Sequence, residues 1–133
     1  MKMKPNQFHK STGFTWRDRW RSVGFALQGI LVFIKKEQQA RLHGIATLLV
    51  LVLAIYFQVN SYEAIALTLS VGLVWSAEIF NTSIEQIMNY ISREKQPAIK
   101  IIKDLAAAAV LVSALTALLV GAFVFIPKII AVW

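Results

Sequence analysis

Two glutamates seven positions apart, Glu78 and Glu85, sit in a largely apolar stretch together with Asn81, Thr82 and Asn89. On a helix advancing ~100° per residue the two acids lie ~20° apart, and the three neutral polar residues fall within ~60° of Glu78. They make one polar stripe. A charged side chain at the middle of a membrane helix costs about 2.5–3.5 kcal/mol on translocon insertion scales, so the stripe is expected to face protein or water and not acyl chains. A pair of acids two turns apart suits two tasks. A deeper, desolvated one can take a proton from a hydroxyl, and a shallower one can hold magnesium, which accepts one or two protein carboxylates beside phosphate and water oxygens. A structural alternative is an ion-pair seam against Lys103, Arg41 or another subunit.

Three further groups belong to this chemistry. Glu37 is a candidate second magnesium ligand, although a Glu among Lys35, Lys36 and Arg41 also reads as a solvated face. Lys103 and Asp104 open the last apolar run; the lysine suits neutralising a phosphate, and equally suits snorkelling to the headgroups. His43 stands alone at a span boundary, where a histidine is more often a hydrogen-bonded interfacial residue than a base, so it is left out of the catalytic set. None of the six glycines forms GxxxxGK[ST] or GxGxxG, which excludes a P-loop or a protein-kinase nucleotide loop.

The elements that must carry these residues are helices. Residues 1–13 are polar and basic, broken by Pro5 and Gly13, and read as an arm. From 16 to 36 the apolar residues Trp16, Trp20, Val23, Leu27, Ile30 and Ile34 recur every three to four positions, with Arg17, Arg21, Gln28 and Lys35 on another face. Its apolar part is shorter than the ~20 residues of a span, so this is an amphipathic surface helix. Spans are expected at about 42–59, 62–91 and 104–126, the last ending before Pro127. The fold class is therefore an all-α membrane protein, with three transmembrane helices plus an N-terminal surface helix in a single domain, 1–133.

Composition agrees. Of 133 residues 57% are hydrophobic, and the mean hydropathy of +0.60 exceeds that of soluble domains of this size. The net charge of +7 does not indicate nucleic acid, because the basic residues flank apolar runs and so favour anionic headgroups or nucleotide phosphate. No cysteine is present, which removes disulfides, thiolate nucleophiles and cysteine-bound metals. Nine of the 14 Lys and Arg precede the first span, none lies in the first connection and four lie in the second. That asymmetry puts the N-terminus and second connection in the cytoplasm and the chain in the inner membrane. No cleavage site follows the first apolar run, so a cleaved signal peptide is not expected.

The string Glu78-Ile-Phe-Asn-Thr-Ser-Ile-Glu85, followed by Lys103-Asp104-Leu-Ala-Ala-Ala-Ala-Val110, resembles the E-x-x-N-[ST]-A-[IV]-E and K-D-x-x-[AS]-[AG]-A-V signatures of the prokaryotic diacylglycerol and undecaprenol kinases. Glu37, Gln39 and His43 are similar to the E-x-N-x-x-x-H stretch of the undecaprenol branch, as is the ending at Pro127 and Lys128. The resemblance spans about 20–128. It implies an ATP- and magnesium-dependent transfer of the γ-phosphate to a lipid alcohol by a homotrimer with sites between subunits. By the same likeness Glu78 is the base, Glu37 and Glu85 are the magnesium carboxylates, Asn81 and Lys103 orient and neutralise phosphates, and Asp104 lies near the nucleotide. Two positions depart from the pattern: Asn89 where Asp is common, and Gln39 where Asn is common. The rival from another class is a small oligomeric transporter or channel whose Glu78 and Glu85 line a cation path. A membrane adaptor without activity is a third reading, allowed by the two departures.

Overall fold

The computed structural model describes residues 15–92, 94 and 96–132, and the arm read at 1–13 lies outside them. Four helices follow in order: α1 Trp16–Lys36, α2 Gln38–Tyr56, α3 Ser61–Ile91 and α4 Pro97–Val132. They divide into two compact units, one holding α1 and the other α2, α3 and α4.

Thr15 precedes α1, and its carbonyl accepts from the N–H groups of Asp18 and Arg19 at 3.1 and 3.4 Å. The Thr15 hydroxyl donates to the Asp18 carboxylate at 2.8 Å. Asp18 in the first turn and Lys35 and Lys36 in the last oppose the helix dipole at both ends.

Each of the other three helices is long and apolar enough to cross a membrane. Large apolar side chains lie exposed along all of them, among them Ile45, Leu49, Ile65, Leu69, Leu118 and Phe123. Helices apolar on every side are solvated by lipid or by other helices. The chain is an all-α membrane protein.

Between α2 and α3 only residues 57–60 intervene. The end of α2 is a Schellman motif: Gln58 N–H donates to the Ile55 carbonyl at 3.2 Å and Val59 N–H to the Ala54 carbonyl at 3.1 Å. Gln58 occupies the left-handed position of that motif with φ 47°, where glycine is usual. α3 then begins with a capping box. The Asn60 side chain accepts from the N–H groups of Tyr62 and Glu63 at 2.9 and 3.0 Å, and Glu63 accepts from the Asn60 N–H at 2.8 Å.

α3 packs along α4. The buried residues of α3, Leu67, Ser70, Val74 and Glu78, recur every three to four positions as one seam. Facing helices approach closely at small residues, and Ala106 and Ser113 are the buried ones in the first half of α4. Farther along, Leu67, Val124 and Phe125 form the core, with Val50, Leu53, Phe57 and Val120 packed on it. Polar contacts tie both ends of this pair: Lys128 bridges Glu63 at 3.0 Å, and Lys103 Nζ donates to the side-chain amide oxygen Oδ1 of Asn89 at 2.6 Å. The two ties are ~39 Å apart along α3 and ~37 Å along α4, so two nearly straight antiparallel helices run from one headgroup layer to the other.

The last helix departs from the sequence expectation at both ends, 97–132 against 104–126. Pro97 takes the first helical position, where its missing N–H has no intrahelical partner to lose, and Lys100 N–H already donates to the Gln96 carbonyl at 3.0 Å. Pro127 does not end the helix. It forfeits one backbone bond, to the Phe123 carbonyl, and the helix continues for another turn and a half to Val132. α2 is shifted as well, 38–56 against 42–59, because Glu37 is its N-cap and the Schellman turn closes it at Phe57.

Gln58→Gly is expected to raise the thermal midpoint in detergent micelles. Release of the left-handed conformation gains ~1–2 kcal/mol against ~0.5–1 kcal/mol of added unfolded-state freedom. Gln58→Val should lower it.

Candidate functional site

Glu78 is the buried acid of the chain, 5% exposed, in the same α3 seam as Leu67 and Val74. A carboxylate there needs a partner, because an unpaired buried charge is costly. His43 supplies it: Nε2 lies 2.8 Å from Glu78 Oε1. One turn along both helices a second polar contact follows, from the Trp75 indole N–H to the Thr47 hydroxyl at 3.0 Å, while that hydroxyl donates to the His43 carbonyl at 2.7 Å. Glu78 and Trp75 are three apart on α3, His43 and Thr47 four apart on α2. The result is a two-rung ladder between antiparallel helices.

Above this ladder α3 carries the rest of the stripe. Asn81 Oδ1 is buried and has no hydrogen-bond partner among the described residues. Glu85, one turn farther, is exposed, and so is Asn89, whose side chain holds Lys103. Asp104 is exposed and pairs with Lys100 on its own helix. Glu37 is half-buried at the N-cap of α2, without a side-chain capping bond. Among the described residues no three His, Asp or Glu side chains gather into a metal cluster. The structure thus brings His43 to Glu78 and Asn89 to Lys103.

From the His43 end an apolar cleft of about 460 Å³ runs between the helices. Thr47, Val50 and Leu53 line it from α2, Val74 and Trp75 from α3, and Ala117, Gly121 and Phe125 from α4.

A profile of the prokaryotic diacylglycerol kinase family matches residues 24–125. The chain belongs to that family. It is a lipid kinase. It is 30% identical over 110 residues to the undecaprenol kinase of Bacillus subtilis, covering 83% of this chain and 89% of the relative. It is 31% identical over 111 residues to the diacylglycerol kinase of Escherichia coli K12, covering 84% and 89%. The diacylglycerol kinase of Synechocystis is 26% identical over 111 residues, which cover 83% of this chain and 63% of that longer protein.

Sequence reasoning left His43 out of the reacting set of this lipid kinase, and it overlooked Thr47 and Trp75 altogether. The signal for His43 lay in its likeness to the E-x-N-x-x-x-H stretch. For the other pair it lay in spacing, one polar group a single turn beyond each member of the His43–Glu78 contact.

Glu78→Ala should lower unfolding free energy by about 1–3 kcal/mol, since it leaves the half-buried imidazole unpaired. Glu85→Ala, at an exposed position, should stay within about 0.5 kcal/mol of wild type. Thermal unfolding of both variants in one detergent checks the contrast.

Proposed function

We propose that this lipid kinase transfers the γ-phosphate of ATP to the hydroxyl of a membrane lipid alcohol at the cytoplasmic face of the inner membrane. The observation that carries the reading is a buried carboxylate, Glu78, bonded to His43 at 2.8 Å beside an apolar cleft. Glu78 takes the proton of the lipid hydroxyl as the O–H bond breaks. The lipid oxygen bonds to the γ-phosphorus, the bond to the β,γ-bridging oxygen breaks, and ADP leaves. Lys103, held by the neutral Asn89, keeps an uncompensated positive charge to offer the phosphates. Asp104 lies one position on, near the nucleotide.

The donors are oxygens, the kind magnesium takes, and among the described residues they are not gathered into one cluster. Asn81 Oδ1 is a buried acceptor in want of a partner, and the Glu85 carboxylate stands one turn above it on the same face. Glu37 is the other carboxylate of the set. When bound, the ion neutralises charge on the transferring phosphoryl group.

Undecaprenol and diacylglycerol are the candidate lipids. The likeness at Glu37 and His43 and the 127–128 ending favour undecaprenol. The domain is taken as the whole chain, 1–133, acting as a homotrimer with its N-terminus in the cytoplasm, in line with the Lys and Arg asymmetry. A cation path would need acids open to water from both sides, whereas Glu78 is buried and bonded to His43, and the stripe opens toward the exposed Glu85 and Asn89.

Purified protein incubated with labelled ATP, magnesium and a panel of lipid alcohols should yield labelled lipid. Glu78→Gln should lower turnover at least about 100-fold, the ordinary share of a general base. Glu85→Ala should raise the magnesium concentration needed for half-maximal rate. Absence of labelled lipid from every candidate alcohol would overturn the assignment.

A further inference from the structure

We propose that His43 is the positioning residue for Glu78, and that the Thr47–Trp75 contact holds His43 in register. The inference rests on the kinase reading and adds a part to it. An ionised carboxylate only accepts hydrogen bonds, so the contact at 2.8 Å puts the hydrogen on His43 Nε2. That bond engages Oε1 and leaves Oε2 to receive the lipid proton. A glutamate has three side-chain torsions, and among the described residues the bond to His43 is the one that fixes the Glu78 carboxylate. Without the imidazole the carboxylate is free to swing toward Asn81 or toward the headgroups.

Position also depends on the helix that carries the imidazole. α2 touches α3 much more sparsely than α4 does, and the apolar cleft opens beside it. Apolar side chains alone fix its axial register weakly. The indole N–H of Trp75 meeting the Thr47 hydroxyl at 3.0 Å supplies a directional contact one turn from His43, and the same hydroxyl is tied to the His43 carbonyl at 2.7 Å. Sliding α2 by a single residue, ~1.5 Å, would break both rungs together.

The test compares near-isosteric substitutions at His43 in the full chain, with labelled ATP and the preferred lipid alcohol. His43→Leu removes the donor, and His43→Gln keeps an N–H at similar reach. Leu is expected to lower kcat about 100-fold, the scale of a misplaced reacting group, while KM for both substrates stays within about threefold. Gln should recover kcat to within about tenfold of wild type, with both variants assayed well below their own thermal midpoints, a split that a purely structural residue would not give. Thr47→Val and Trp75→Phe should each lower kcat, and the double variant should do no worse than the more damaging single one, because both remove one contact.

Leu activity within threefold of wild type, Gln as damaged as Leu, or a loss confined to KM would each overturn the proposal. Full additivity at Thr47 and Trp75 would overturn its second half. If Leu does not fold, the Gln rate alone decides. A wild-type protein that labels no lipid defeats the kinase reading itself, a result distinct from an active wild type indifferent to His43.

Discussion

A single hydrogen bond inside an apolar helix bundle governs the arrangement of this protein. Glu78 occupies a position in the α3 seam where Leu67 and Val74 are its equivalents one to three turns away, and a carboxylate is tolerated there because His43 reaches it from α2. Buried polar groups are costly alone and directional when paired. The same contact therefore makes an acid possible in the seam and dictates how α2 lies against α3. The short 57–60 connection already makes the two helices antiparallel neighbours, and the ladder selects one register among those the apolar surfaces would allow.

Along α3 the environment changes in a graded way. Glu78 is buried, Asn81 has a buried carbonyl oxygen, and Glu85 and Asn89 are exposed. Each step toward the second connection brings more water and more positive charge. On the proposed reading a lipid hydroxyl and a nucleotide phosphate require opposite surroundings, one apolar and one ionic, and the 31 residues of α3 offer both. Phosphoryl transfer needs alignment and charge neutralisation more than it needs a large set of reacting groups, which is why so few polar residues suffice.

Much of this was legible in the residues themselves. The 3–4 periodicity of 16–36 and the apolar runs gave four helices, and the α3 stripe follows from angular arithmetic that holds on any regular helix. Helix ends were less legible. Proline is read as a stop because of its lost N–H, yet Pro97 costs nothing at the first position and Pro127 loses only one bond close to the C-terminus. The partner of Glu78 could not be derived from one helix, because a contact between α2 and α3 depends on their register, and the register depends on the turn. Gln58 hid that turn, since a glutamine does not advertise a left-handed residue as glycine would. Family likeness brought His43 to notice without giving it a task.

Glu63 carries a different consequence. Its carboxylate closes the capping box at Asn60 and also binds Lys128, near the end of α4. Synthesis delivers the first of these contacts almost at once and the second only after most of α4 has been made. The acid that begins α3 is thus sheltered by its own backbone while the bundle is incomplete, and it is matched by an opposite charge only when α4 arrives. α4 fastens the hairpin that was laid down before it, through an ion pair at the far membrane surface from Lys103.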